Sequence, residues 1–555
     1  MQGHFVRLLG DAGDKKTENE MILLERDVPH EGFSQNVLNC LPKLPWCITE
    51  ADLEQRADLR DYEISSIDPV GCTDIDDALH CRELPNGNFE VGVHIADVSH
   101  FIKPGTPIDE EAAHRGTTVY LTDKRIDMVP ELLSSNLCSL RGNEERFAFS
   151  SIWELTSEAE IVDVKFTKSV IKSKCAFTYG EAQSRIDDKK MQDSLTKSLR
   201  NLLSLSKKLK EKRRKAGALS LASSEIRFNL DTETHDPIGV QSKQMLETNS
   251  LVEEFMLLAN CSVAEFIWKK FPDCAVLRRH PVPNTEQYTP LLEAASSKGF
   301  QIKTDAGLEL AKSLDKAVVP TAPYFNTMLR MIATRCMTQA IYFASGTLAY
   351  EHFFHFGLAA PIYTHFTSPI RRYPDVLVHR LLAAAINVDK TYPELLDKKK
   401  VQDLCNHLNY RHRMAQYASR DSVALHTVMF FSKSPCVENG YVLFVKENAL
   451  QILVPKYGLE VTLGLKDKSG NKMFDFDKDK GVQKAKNDDV ALKMFDSVQV
   501  HLSVTSDGPE AAMRNRLTVK LVSPKIEGFS IEAPVVKTAS SCEMEAASAK
   551  KQKKN

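Results

Sequence analysis

The sequence predicts an α+β protein: a large mixed α/β domain, followed by a small OB-type β-barrel and preceded by part of another small β-barrel. Three observations point there. Val91, Val93 and Ile95 alternate with Gly92, His94 and Ala96, the pattern of a strand covered on both faces. Leu195, Leu199, Leu202 and Leu209 fall at helical spacings ahead of Gly217, a natural helix stop. Beyond about residue 434, short apolar runs separated by Gly, Asp and Asn replace the helical pattern.

Taken in order, residues 1–35 read as strands and turns, from Phe5-Val6-Arg7-Leu8-Leu9 and Met21-Ile22-Leu23-Leu24. They are too few to close a barrel, so they are expected to be its C-terminal remnant. Residues 36–430 mix strand and helix patterns without a repeat. Within them, Ser250-Leu251-Val252-Glu253 reads as a capping box opening a helix with Leu251, Phe255, Leu258 and Ala259 on one face. Residues 434–527 supply the strands of the second barrel, including Tyr441–Val445, Leu450–Pro455 and Val498–Val500. There Tyr441, Phe444 and Tyr457 are either core residues or stacking platforms. The tail, 528–555, is rich in Ala, Ser, Lys and Glu and is expected to be disordered.

Composition narrows the function. The 555 residues make three or four domains at about 150 residues each. Seventy-two Lys and Arg against 74 Asp and Glu leave a formal charge of −2, which excludes a uniformly basic nucleic-acid coat but not a local basic channel. Twelve cysteines without a C-x-x-C suit a reducing compartment and exclude a zinc knuckle. With neither a signal peptide nor a sufficiently long apolar run, a soluble intracellular protein with no membrane partner is expected. The run Lys207–Lys215 is either a solvated helix face or a contact for RNA or a partner.

The most informative stretch is Asp68-Pro69-Val70-Gly71-Cys72-Thr73-Asp74-Ile75-Asp76-Asp77-Ala78. Four carboxylates this close repel one another and call for a cation. Oxygen-only ligands point to Mg²⁺ or Mn²⁺. A calcium loop fails, because counting from Asp74 puts Leu79 at the sixth position and Pro85 at the twelfth. A second stretch, His365-Phe366-Thr367-Ser368-Pro369-Ile370-Arg371-Arg372-Tyr373-Pro374-Asp375, reads as a helix with Ser368 as N-cap, Pro369 first, and Ile370, Leu377 and Leu381 on its buried face. Two arginines in a first turn oppose the helix dipole. They form a phosphate clamp or serve internal acids.

Together with Val91-Gly92-Val93-His94-Ile95-Ala96-Asp97-Val98-Ser99, these two motifs resemble the ribonuclease II (RNB) family, in the right order and about 290 residues apart. Arg115–Leu121 and Arg125–Ser134 resemble its eukaryotic, exosome-associated branch. The resemblance implies an RNB catalytic domain over 36–430, an S1 barrel over 434–527 and a cold-shock barrel remnant over 1–35. It also implies Mg²⁺-dependent (or Mn²⁺-dependent) hydrolysis of single-stranded RNA from the 3′ end to nucleoside 5′-monophosphates. Carried over residue by residue, Asp68, Asp74, Asp76 and Asp77 become the metal site, with Asp74 supporting it and Asp77 essential for cleavage. Arg371 grips the scissile phosphate, with Arg372 beside it. Tyr120 stacks on the terminal base, its alternative being a core tyrosine, and Glu254 contacts RNA or is an ordinary helix glutamate.

Exosome-branch proteins carry a PIN domain and two complete cold-shock barrels ahead of the RNB domain, and this sequence has room for neither. Endonuclease activity is therefore expected to be absent, and docking to the RNA exosome core, the implied partner, to lose much of its contact. The implied location is the nucleus and cytoplasm, the nucleus favoured. The rival readings are an exosome-independent cytoplasmic exonuclease and a non-catalytic RNA-binding subunit.

Overall fold

The computed structural model describes residues 4–222, 227–231, 234, 236–241, 245–467, 469–505 and 516–533. At its centre is a seven-stranded sheet in the order Ala57–Leu59, Ile161–Lys172, Glu145–Leu155, Phe89–Ala96, Asp77–Glu83, Ser65–Asp68 and Cys175–Thr178. The inner pairings are antiparallel; the two edge strands add in parallel. The strand Phe89–Ala96 sits in the middle, and Val91, Val93 and Ile95 are fully buried, as their alternation predicts. Gly92 is required there, because a Cβ would lie 2.3 Å from the His80 ring and 2.9 Å from that of His94.

Helices Glu247–Lys270 and Tyr373–Ala385 share the core of this sheet through Leu251, Phe255, Leu377 and Leu381. The first begins earlier than the capping-box pattern suggests. Asn249, not Ser250, reaches back to cap it, accepting from the Leu246 N–H. Helix Ser194–Lys215 ends as expected, with Gly217 at φ +100° just beyond it.

The N-terminal expectation fails on element type. Met21-Ile22-Leu23-Leu24 lies in a helix, Lys15–Glu25, capped by Asp14. Among the described residues, 4–35 contain no strand. Ile22 and Leu23 pack with Val119, Leu121, Ala415 and Ala418, so burial against distant segments, rather than local β-propensity, decides the conformation.

The longest helix, Lys398–Lys433, runs past all of these parts. Asp421 pairs with Arg26, Ser422 accepts from the Thr122 N–H, and Asn409 exchanges hydrogen bonds with Tyr342 in the strand Ile341–Ala344. It then passes straight into the barrel. There Leu459–Gly464, Ala449–Val454, Cys436–Lys446, Ser497–Thr505 and Arg516–Ser523 form an antiparallel five-stranded sheet. Its two edge strands touch, closing it in the OB manner. Leu443, Leu453 and Phe495 of the barrel share a core with Phe325 and Ile332 of helix Phe325–Arg335. The tail expected to be disordered lies, from residue 534, outside the described residues. Among the described residues, no helix is long and apolar enough to cross a membrane, and every cysteine is free.

Candidate active site

The sheet delivers the acidic residues to one edge. Asp68 ends the strand Ser65–Asp68, Asp77 begins the neighbouring strand Asp77–Glu83, and the connecting loop carries Asp74 and Asp76. Ser139 straps that loop, its hydroxyl donating to the Thr73 carbonyl and accepting from the Ile75 N–H, while the Leu140 N–H donates to the Ile75 carbonyl.

The second motif meets this loop directly. The Ile370 N–H donates to Asp76 Oδ1 at 3.0 Å, and Arg371 Nε lies 3.5 Å from Asp76 Oδ2. Asp76 is buried, whereas the Arg371 side chain, whose Nη2 also donates to the Ser368 hydroxyl at 3.2 Å, is 42% exposed. The helix does not begin at Ser368. Residues 368–371 form a turn, and the helix starts at Tyr373 with Pro374 in its first turn. Asp375 causes this: buried in the helix, it accepts from the Ser368 N–H at 2.7 Å and holds the turn outside.

Arg372 points away from a phosphate role. Its guanidinium forks onto Asp375 at 2.7 and 2.8 Å and is mostly buried. Glu254 is also occupied, buried and gripped by both Nε and Nη2 of Arg213. That pairing belongs to a wider pattern. Lys207, Lys208, Lys212, Arg213, Arg214 and Lys215 all face carboxylates and Lys210 donates to the Ser250 hydroxyl, so most of the basic run is paired within the chain.

Tyr120 lies at the site. It ends the strand Val119–Tyr120, the residue is 42% exposed, and its hydroxyl donates to Asp74 Oδ2 at 3.1 Å. Asp74 Oδ1 takes Arg125 Nη1 at 2.6 Å, so both oxygens of Asp74 hold neighbours in place. Arg125 also bonds Asp127 and Ser135. Thr117 and Thr118 donate to the Arg371 carbonyl, which docks the Tyr120 strand onto the arginine turn.

Arg125, Asp375 and Tyr179 received no role from the sequence. Arg125 could have been found as the cation the acidic loop needs. Asp375 could have been found as the acid at i+3 from Arg372. Tyr179 follows Thr178, the register partner of Asp68. Its hydroxyl is pushed up to about 12 by burial and by Asp77 and Asp68 nearby.

Electrostatically the site is short of positive charge. Burial, with Asp74 adding to it, raises Asp68 to about 6. Burial raises Asp76 to about 7 against the pull of Arg371 and the Ile370 N–H. Asp77 is pushed well up by burial, Asp68 and Asp76. Asp68 Oδ2 is buried and accepts no hydrogen bond. These are hard oxygen donors lacking a cation, and they fit a divalent ion in charge and chemistry. Among the described residues, no three His, Cys, Asp or Glu side chains are gathered so as to hold a metal ion, so Asp68, Asp76 and Asp77 fit a cation by charge and donor type and not by a formed ligand set.

A mixed sheet domain with such an edge, joined to an OB barrel, defines the class. Residues 56–388 match the RNB domain and residues 436–517 the S1 domain, and the chain belongs to the RNB family. It is similar to the human exosome complex exonuclease RRP44, 57% identical over 531 residues, 95% of this chain and 55% of that protein. It is also similar to the fission-yeast exosome complex exonuclease dis3, 56% identical over 466 residues, 83% of this chain and 48% of that protein. The chain thus spans about half the length of these relatives. Mycoplasma genitalium RNase R in complex with ribose-methylated single-stranded RNA shares the fold, with a TM-score of 0.81 at 23% identity over 93% of this chain and 79% of that one. So does yeast Ssd1, described as a pseudonuclease, with a TM-score of 0.76 at 20% identity over 95% of this chain and 75% of that one.

Proposed function

We propose that this chain is a processive 3′→5′ exoribonuclease that hydrolyses single-stranded RNA to nucleoside 5′-monophosphates. The observation carrying the proposal is the meeting of the two motifs at Asp76. It places a partly exposed guanidinium on Asp76, beside Asp68 and Asp77, which have no ion-pair partner among the described residues. The names of the RRP44 and dis3 relatives support it.

Asp68, Asp76 and Asp77 would hold Mg²⁺, with Mn²⁺ as a substitute. Such an ion supplies charge neutralisation at the phosphoryl group and a more acidic water. The chain's own groups do the rest. Arg371 offers N–H donors to the non-bridging oxygens of the scissile phosphate and stabilises the charge that grows there. Tyr120 offers an aromatic face to the 3′-terminal base. Arg125 and the Tyr120 hydroxyl fix Asp74, and through it the loop. In the overall reaction water adds to phosphorus, the bond from phosphorus to the 3′ oxygen breaks, and that oxygen takes a proton.

On the same grounds we propose association with the RNA exosome core and a mainly nuclear location. The test is digestion of a 5′-labelled single-stranded RNA with Mg²⁺ or EDTA, beside Asp77→Asn. Shortening that is lost with EDTA and in the variant supports the reading. Binding without shortening makes the chain a pseudonuclease-like RNA binder and refutes it. Copurification of the core ring with the tagged chain tests the association.

A further inference from the structure

A buried arginine that the proposed chemistry does not use lies upstream of the Arg371 turn. Arg278, in the strand Val276–Arg279, is only 8% exposed. Among the described residues it has no carboxylate within ion-pair distance, and its Nη1 has no hydrogen-bond partner. Its guanidinium lies 4.5 Å from the centre of the Tyr342 ring. Arg372, which also acts on His365, is already consumed by Asp375. A buried charge without a counter-ion costs several kcal/mol and persists where a ligand supplies the counter-charge.

Rings enclose the arginine. Tyr342 packs edge-on against His365 at 5.5 Å, His365 against Tyr363 at 5.6 Å, Tyr363 against His355 at 5.2 Å, and His355 against His280 at 5.4 Å. His280, two residues beyond Arg278, returns to the same side of the chain. Its Nδ1 accepts from the Gly357 N–H at 3.1 Å, which puts the ring proton on Nε2; that N–H makes no full hydrogen bond, though it lies beside the Thr338 backbone. His355 Nδ1 is likewise unpartnered. Burial lowers His280, His355, His365 and His412, with Arg278 adding to it at each and the Thr338 backbone opposing it at His280, and this favours the neutral imidazoles. The ring therefore presents one full positive charge and spare polar edges, a set suited to a single phosphodiester. The Arg278 N–H holds the Tyr363 carbonyl at 2.8 Å, and from Tyr363 the chain runs on to Arg371.

We infer that Arg278, with His280 and His355, forms a second phosphate subsite that takes a backbone phosphate on the 5′ side of the scissile bond. The inference rests on the exoribonuclease reading and adds to it a residue that sets affinity for the strand rather than the chemical step. The test uses the full chain carrying Asp77→Asn, so that RNA survives, and a labelled single-stranded oligoadenylate titrated at several salt concentrations. Arg278→Gln should weaken binding about tenfold or more. It should also flatten the slope of log affinity against log salt by about 0.7, the loss of one phosphate contact on a single strand. The melting temperature without RNA should stay the same or rise, because an uncompensated buried charge is gone. Arg278→Lys should keep the salt slope. An unchanged slope in Arg278→Gln overturns the subsite. So does a slope lost in both variants with melting lowered in both, which marks a packing role against Tyr342. If the Asp77→Asn chain itself binds no RNA, the exoribonuclease reading falls and takes the subsite with it.

Discussion

Arg372→Met separates two roles that the sequence left open for this residue. The substitution removes both donors that reach Asp375, at 2.7 and 2.8 Å, and leaves that fully buried carboxylate with the Ser368 N–H as its remaining protein donor. Breaking a buried pair from one side costs about 3–5 kcal/mol, most of it the stranded charge. A chain of this length unfolds with an entropy of about 1.2 kcal/mol per degree, so melting should fall by about 3–4 °C. Calorimetry of the full chain measures it. The double variant Arg372→Met/Asp375→Leu should recover most of the loss, since apolar replacement of both partners is often neutral. Cleavage should also slow in the single variant, because Asp375 anchors the turn that carries Ile370 and Arg371. Unchanged melting together with weaker RNA binding would refute this reasoning and return Arg372 to the phosphate.

Three further outcomes are expected. Arg371→Ala should lower kcat by about 10²–10³, the cost of one lost transition-state donor, and barely move melting, as its side chain is partly exposed. Tyr120→Ala should weaken binding of an RNA 3′ end by about 1–3 kcal/mol, measured by anisotropy, while Tyr120→Phe keeps the stacking and loses only the bond to Asp74. Asp97 should govern part of the acid stability. Burial alone would raise its carboxyl, but Lys168 at 3.5 Å and Arg56 at 2.7 Å hold it far below the carboxylate range. A depressed folded value means stability that is complete above the unfolded value of about 3.9, declines below it, and is lost as pH falls through the folded value. Asp97→Asn should lower stability at neutral pH and flatten its decline below about pH 5 in acid titrations followed by circular dichroism.

What was legible in the sequence was local. The alternation around Val93 identifies a central strand because both faces are buried within the window that shows the pattern. The acidic loop announces itself because its carboxylates are sequence neighbours and their repulsion needs no fold to be seen. What stayed hidden depends on partners far along the chain. Met21–Leu24 is helical because Ala415 and Ala418 pack on it. The basic run over 207–215 meets acids as distant as Asp315, and Glu254 finds Arg213 forty-one positions away. The helix start at Tyr373 was misplaced for a different reason. Ser368 and Pro369 have the right chemistry for a cap, but Asp375 and Asp76 claim the backbone donors around them.

Helix Lys398–Lys433 has a thermodynamic consequence. At 36 residues it is about 54 Å long, and it touches the N-terminal helix, the Tyr120 region and the Ile341–Ala344 strand before becoming the first barrel strand. Its successive segments line three cores: Val401, Cys405 and Leu408 that of the main sheet, Ala415 and Ala418 that of the N-terminal helix, and Phe431 that of the barrel. The barrel is therefore not a detachable module. RNB domain and barrel should lose structure in one cooperative transition, and a loosening of either is a destabilisation of both.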